Sequence, residues 1–209
     1  MDSTVFPAKI PSWERVLRGP KPVDEKYVES LASLPVMTSL STNAQPYRIT
    51  VVCLGNICRS PIGEAVLRQR LAAAGLADQV VVDSAGTGDW HLGQGADPRS
   101  LAVLDAHGYE HDHTARQITP NWFAEIDLVL AMDEANYADL QRLIARSGQE
   151  PQLRMMRSYD PNLSQLAEPH PDLDVPDPYY GGPEGFEAVL TMIEQAADGV
   201  VSGLLDSKE

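Results

Sequence analysis

The chain has 209 residues, a length that holds one α/β domain with a substantial core, and nothing in its composition indicates a second domain. Its formal net charge is −14, and acidic and basic side chains balance within residues 1–46, so the negative excess lies beyond residue 46. Nucleic acids and anionic membranes favour basic surfaces, so this charge argues against both as partners.

The two cysteines, Cys53 and Cys58, are too few for a disulfide framework, and no further Cys or His nearby completes a zinc site. We therefore expect no metal and a reducing compartment, the cytoplasm. Residues 1–46 lack the basic start and apolar run of a signal peptide, and we expect no stretch long enough to span a membrane. Export would have to use another route.

The first 46 residues are rich in proline and hold one short helical pattern at residues 24–32. We predict a mostly disordered leader in residues 1–46, followed by one folded domain in residues 47–209. Two alternatives stay open: Met37 is the true initiator, or the leader docks on the domain or on a partner.

From residue 47 onward, strand and helix patterns alternate, as in a parallel sheet with right-handed crossovers. Strands are predicted at residues 48–53, 79–84, 127–132 and 153–156, and helices at residues 61–75, 98–108, 134–146 and 184–204. Gly75 and Gly108 are predicted C-terminal stops. Ligands of such sheets sit at the carboxyl ends of the strands, which is where Cys53 lies.

The turn after the first strand has the composition of a phosphate-binding loop. Five residues separate Cys53 from Arg59, enough to wrap backbone N–H groups around one oxyanion; they are Leu54, Gly55, Asn56, Ile57 and Cys58. Gly55 and Asn56 tolerate positive φ angles, and Pro61 suits the first position of the helix that follows. The N–H groups of that helix end then face the anion.

This placement predicts the chemistry of Cys53 and Arg59. A helix N-terminus, inward N–H dipoles and a guanidinium all favour thiolate over thiol, which makes Cys53 a nucleophile at neutral pH. Arg59 offers two parallel N–H bonds to phosphoryl oxygens and would hold an ester in line for attack.

An aspartate followed by proline occurs at Asp97, Asp160 and Asp177. Asp97 is predicted to cap a helix and Asp160 to start a turn. Asp177 differs because Tyr179 and Tyr180 follow it in a rigid loop. Asp133 and Asn136 are interpreted as caps of the next helix and are left out of the site.

Further motifs accompany the loop. The loop itself reads V-C-L-G-N-I-C-R-S-P at residues 52–61. The further motifs are S-A-G-T-G-D-W at 84–90, H-T-A-R-Q at 113–117, A-M-D at 131–133 and D-P-Y-Y-G at 177–181. The combination resembles the low-molecular-weight protein tyrosine phosphatases over residues 47 to 205, and most of all their actinobacterial secreted members. The resemblance implies a four-stranded parallel sheet in flavodoxin-like order with helices on both faces. It also implies hydrolysis of phosphotyrosine in protein substrates through a cysteinyl-phosphate, without cofactor, by a monomer.

The resemblance further assigns roles to residues outside the loop. Asp177 becomes the general acid and base, and Trp90, Tyr179 and Tyr180 become the aromatic walls of a slot too deep for phosphoserine. Ser60 would donate its hydroxyl to the Cys53 thiolate. Asn56, Ser84 and His113 would hydrogen-bond one another and hold the loop.

Cys58 matches a position that in the family often traps an oxidised nucleophile as a reversible disulfide; the alternative is a packing role. The same residues bear on three competing activities. Arsenate reduction of the thioredoxin-coupled type needs later cysteines, and none follows Cys58. An arginine phosphatase would carry a small threonine in place of Ile57, and a binding module without catalysis would not need Cys53, Arg59 and Asp177 together.

Overall fold

The computed structural model describes residues 45–207. The predicted leader therefore lies outside the described residues, apart from Gln45 and Pro46. The strands are β1 (Tyr47–Cys53), β2 (Val80–Gly86), β3 (Leu128–Ala131) and β4 (Gln152–Met155). The α-helices are α1 (Arg59–Ala73), α2 (Pro98–His107), α3 (Glu134–Ser147) and α4 (Pro183–Asp206), and short 3-10 segments cover Pro120–Ala124, Met156–Tyr159 and Pro171–Leu173.

The four strands form one parallel sheet in the order β2-β1-β3-β4. β1 is central, with Val51 opposite Ser84 on β2 and Leu130 on β3. The apolar, β-branched sequence of β1 suits a strand that is covered on both faces. The predicted fold class, a parallel sheet in flavodoxin-like order, is confirmed.

Helices cover both faces of the sheet, and alternate residues of β1 point to opposite sides. Ile49, Val51 and Cys53 belong to the larger core, which also includes side chains of α1, α2 and α4. Val52 belongs to the smaller core, together with Leu140 of α3. Because β1 is packed on both sides, its last residue, Cys53, is held firmly at the carboxyl edge of the sheet.

Local signals account for both ends of α2. Asp97 caps α2 by accepting a hydrogen bond from the Arg99 amide, and Gly108 ends that helix in the left-handed region at φ 75°. The start of α1 was predicted wrongly, because the helix begins at Arg59 and not at Pro61. The end of the loop is itself helical, so Pro61 occupies the third position, where its missing N–H still costs no intrahelical bond.

Helix α4 corrects another expectation. By length and composition alone it could span a membrane, whereas we expected no such stretch. One of its faces lies in the core, with Phe186, Ile193 and Val200 almost fully buried. At Gly199 an added Cβ would stand 1.8 Å from the Tyr159 carbonyl oxygen, so only glycine permits this close approach. Burial of this face in the core accounts for the apolar composition of α4.

Candidate active site

The loop between β1 and α1 curls at the carboxyl edge of the sheet, as the sequence predicts. Asn56 adopts φ 54°, the one positive φ of a non-glycine residue among the described residues. Gly55 does not adopt a positive φ, contrary to expectation; an added Cβ there would lie 3.0 Å from the His91 ring. Gly86 at the end of β2 allows the loop to pass close by, since a Cβ would stand 2.7 Å from the Leu54 carbonyl oxygen.

A cavity of about 300 Å³ opens above this loop. It is lined by Cys53, Leu54, Gly55, Ile57, Cys58, Arg59, Trp90, His91, Asp177, Tyr179 and Tyr180. Ten of these are residues that sequence reasoning selected, and His91 is the addition. Four selected residues do not line the cavity; they are Asn56, Ser60, Ser84 and His113.

The side chains of Asn56 and Ser60 point beneath the loop, and neither residue has exposed surface. The Asn56 amide donates to the hydroxyls of Ser60 and Ser84, each at 2.9 Å. The Ser60 oxygen accepts that bond, and its own proton has two acceptors within reach, Cys53 Sγ at 3.0 Å and the Ala85 carbonyl oxygen at 3.4 Å, of which the sulfur is the nearer. These side chains therefore support the sulfur and the loop from below, and only their main-chain groups remain as candidates for substrate contact.

Glu64 anchors this network and was missed by sequence reasoning. Its carboxylate accepts from Ser84 at 2.5 Å, and it lies 3.8 Å from His113 Nδ1. Burial acts to raise the pKa of Glu64, but the nearby His113 ring, the hydrogen bond from Ser84 and the charge of Arg68 outweigh it, so the pKa is lowered and the group stays ionised. His113 Nε2 in turn lies 2.7 Å from the Asn56 carbonyl oxygen.

The Arg59 side chain is 3% exposed and lies between two carboxylates. Nη1 donates to Asp133 Oδ2 at 2.5 Å, and Nη2 donates to Asp177 Oδ2 at 3.2 Å. Burial acts to lower the pKa of this guanidinium. The charges of Cys53, Asp133 and Asp177 outweigh that effect, and the pKa is raised above its ordinary value.

Asp133, interpreted from the sequence as a helix cap alone, therefore also contacts a residue of the site, although it does not line the cavity. The predicted cap is present, because Asp133 Oδ1 accepts from the Asn136 amide at 2.7 Å, but the second carboxylate oxygen pairs with Arg59. One signal could have found this contact. Asp133 follows β3, the strand beside β1, and the carboxyl ends of parallel neighbours share one edge of the sheet.

The loop that carries Asp177 forms one side of the cavity. Asp177 Oδ1 accepts from the Tyr179 amide at 3.1 Å, while its side chain stays 42% exposed. The rings of Tyr179 and Tyr180 meet edge to face at 5.0 Å. Trp90 is 66% exposed and Tyr180 is 96% exposed, so the aromatic rim is open to solvent.

Both cysteines are free and buried. Burial, followed by the charges of Asp97, Cys53 and Asp177, raises the pKa of the Cys58 thiol to about 12. Cys58 is therefore protonated at neutral pH. Within residues 45–207, no cluster of three His, Cys, Asp or Glu side chains is arranged to hold a metal ion.

Comparison with known proteins gives consistent matches. The family model described as low molecular weight phosphotyrosine protein phosphatase matches residues 48–208. A low molecular weight protein-tyrosine-phosphatase of Streptomyces coelicolor is 50% identical over 163 residues, which cover 78% of this chain and 96% of that relative.

Solved structures agree in fold. A protein tyrosine phosphatase from Entamoeba histolytica is 33% identical with a TM-score of 0.67, over 77% of this chain and 97% of that one. A Drosophila arginine phosphatase is 29% identical with a TM-score of 0.65, over 74% of this chain and 94% of that one.

Proposed function

The chain belongs to the low molecular weight phosphotyrosine protein phosphatase family, and from that premise we propose that it hydrolyses phosphotyrosine in proteins through a phosphoryl group carried on Cys53. The observation that carries this proposal is the convergence of three groups on one cavity. The Cys53 sulfur, the Arg59 guanidinium and the Asp177 carboxyl all line it. These are a nucleophile, an anion clamp and a proton carrier.

In the first step, Arg59 and the loop N–H groups hold the phosphate while Cys53 Sγ attacks phosphorus. The P–O bond to the tyrosine breaks, and Asp177 gives its proton to the departing phenolate. Before substrate arrives, Arg59 is already oriented by Asp133 and the Val175 carbonyl oxygen, so little reorganisation is needed. Positively charged donors fixed in this way stabilise the negative charge on the oxygen atoms of the phosphoryl group as it is transferred.

In the second step, the Asp177 carboxylate takes a proton from water, the water oxygen attacks phosphorus and the S–P bond breaks. The 3.0 Å contact between Ser60 and Cys53 supports this step, because a hydroxyl donor stabilises the thiolate as it departs. Asn56 fixes the direction of the Ser60 hydroxyl. Inorganic phosphate and the free thiolate are the products.

The aromatic rim supports phosphotyrosine as the substrate. Trp90, Tyr179 and Tyr180 offer flat surfaces for a phenyl ring, and Ile57 adds bulk to the cavity wall. Arginine phosphatase activity is the second candidate, since a Drosophila arginine phosphatase has the same fold. The apolar, bulky Ile57 favours an aromatic ring over a guanidinium.

We also propose that residues 47–209 form the catalytic unit and that it acts as a monomer, because Cys53, Arg59 and Asp177 of a single chain supply the three groups that the reaction needs. The free thiols suit a reducing compartment, the cytoplasm. The charge of −14 argues against nucleic acid and membrane surfaces as partners.

A substrate panel tests the proposal. Wild type and Cys53→Ser are compared on matched peptides that contain phosphotyrosine, phosphoserine or phosphoarginine. We expect turnover of phosphotyrosine alone, and Cys53→Ser should bind the phosphotyrosine peptide without releasing phosphate. Release by Cys53→Ser at a rate near wild type, or a preference for phosphoarginine, would overturn the assignment.

A further inference from the structure

Arg99, near the start of α2, connects the phosphate-binding loop with the loop that carries Asp177. Its guanidinium donates Nη1 to the Gly181 carbonyl at 2.9 Å and Nη2 to the Tyr179 carbonyl at 3.0 Å. Its central carbon also lies 4.6 Å from the ring centroid of Phe186, in the first turn of α4. One side chain therefore hydrogen-bonds two backbone carbonyls of the loop that carries Asp177.

Asp97 fixes the other side of this guanidinium. Its carboxylate accepts from Arg99 Nε at 3.0 Å, from Nη2 at 2.8 Å and from the Arg99 amide at 2.9 Å. The side chain of Asp97 is 9% exposed, and the hydrogen bonds from Arg99 lower its pKa, so the pair stays charged. Asp97 thus holds Arg99 in the orientation in which its guanidinium contacts the loop that carries Asp177.

The same first turn of α2 is joined to the phosphate-binding loop. The Asp97 amide donates to the Ile57 carbonyl at 2.8 Å, and the Ser100 hydroxyl lies 3.3 Å from the Ile57 and Cys58 carbonyl oxygens. A continuous set of polar contacts therefore connects the phosphate-binding loop, through Asp97 and Arg99, to the backbone beside Asp177.

We propose that Arg99 is a positioning residue, which sets the distance between the Asp177 carboxyl and the Cys53 loop and so controls proton delivery to the leaving group. The inference rests on the proposed function, because it assumes that Asp177 is the acid. Arg99 does not line the cavity, so it acts through Asp177 and not on the substrate. A planar fork is required, because lysine offers a single ammonium in place of donors aimed at two carbonyls and a carboxylate.

The experiment measures kcat/KM on two aryl phosphates that differ in leaving group. Phenyl phosphate needs a proton from the acid, whereas p-nitrophenyl phosphate releases a stable anion and needs it much less. For Arg99→Gln we expect a loss of about tenfold on phenyl phosphate, the scale of a displaced catalytic group, and a clearly smaller loss on p-nitrophenyl phosphate. Arg142→Gln, an exposed arginine paired with Asp139 on α3, is the matched control and should keep wild-type values.

A double-mutant cycle separates positioning from general damage to the fold. In the Asp177→Asn background, Arg99→Gln should change kcat/KM by less than about twofold, because the group it positions is no longer an acid. Equal losses in both backgrounds, or equal losses on both substrates, would overturn the inference. Arg99→Lys provides the same cycle if Arg99→Gln does not fold, with an intermediate loss expected.

The two proposals fail in different ways. If Asp177→Asn alone leaves the dependence on the leaving group unchanged, Asp177 is not the acid, and its step in the proposed mechanism falls together with the role of Arg99. If Asp177→Asn shows that dependence and Arg99→Gln does not, the proposed function stands and only the role of Arg99 is overturned.

Discussion

The ion pair between Arg59 and Asp133 leads to a prediction about stability and activity that the sequence alone does not give. Asp133→Asn keeps an oxygen that can cap α3, because asparagine caps a helix as well as aspartate does, but it removes the charge beside Arg59 Nη1. The Arg59 side chain is 3% exposed, so it cannot recover that partner from water. The substitution therefore isolates the ion pair from the cap.

The magnitude follows from what remains around Arg59. Nη1 still donates to the Val175 carbonyl at 3.0 Å and Nη2 to Asp177 at 3.2 Å. The guanidinium therefore loses one hydrogen bond and keeps two. With its one acceptor oxygen in the cap, the asparagine presents an NH2 group to Arg59 Nη1, so the charge-assisted hydrogen bond is lost at a cost of about 1.5–3 kcal/mol of unfolding free energy. In a domain of this size that lowers the Tm by roughly 3–12 °C. Looser orientation of Arg59 should also lower kcat/KM on phosphotyrosine peptides, by up to about tenfold.

Thermal unfolding and peptide kinetics are measured on Asp133→Asn, Asp133→Ala and Asp139→Asn. Asp133→Ala should be less stable than Asp133→Asn by about 1 kcal/mol, the value of a helix cap. Asp139→Asn removes a surface ion pair on the same helix and should change stability by less than about 0.5 kcal/mol. Wild-type Tm and kinetics in Asp133→Asn would refute the reasoning.

Three further predictions concern the cavity. After peroxide treatment, dithiothreitol should restore activity to wild type but much less to Cys58→Ser, since Cys58 lines the same cavity as Cys53 and can trap its sulfenic acid as a disulfide; equal recovery in both proteins would contradict this role of Cys58. Ile57→Thr should raise the ratio of phosphoarginine to phosphotyrosine turnover severalfold, and an unchanged ratio would remove Ile57 from specificity. EDTA should leave kcat/KM unchanged because Arg59 and the loop amides supply the positive charge, so inactivation reversed by a divalent cation would contradict the scheme.

The parts predictable from sequence are those specified by neighbouring residues. The strand that becomes β1 is a local apolar run, and the loop from Cys53 to Arg59 is a local pattern of glycine, asparagine and a basic side chain. The four predicted strands and four predicted helices all occur, with ends shifted by at most two residues. Asp97 and Gly108 marked their helix ends because capping is a property of a single turn.

Contacts between distant segments could not be predicted in this way. Asp133 lies 74 residues from Arg59 and Arg99 lies 82 residues from Gly181, and each pair meets only because the sheet and α2 bring the segments together. Glu64 looked like an ordinary residue of a helix, yet it is buried as the anchor of the network under the loop. Asp133 had a complete local interpretation as a helix cap, whereas no neighbouring residue in the sequence indicated the distant partners of Arg99 and Glu64.

The most direct test of the central claim is to trap the intermediate. Asp177→Asn is mixed with a phosphotyrosine peptide, quenched within the first turnover, digested and analysed by mass spectrometry, with Cys53→Ser as the control. The account predicts one phosphoryl group on the peptide that contains Cys53, and none in Cys53→Ser. Phosphate release with no phosphorylated Cys53 at any quench time, or phosphoryl transfer to another residue, would contradict it.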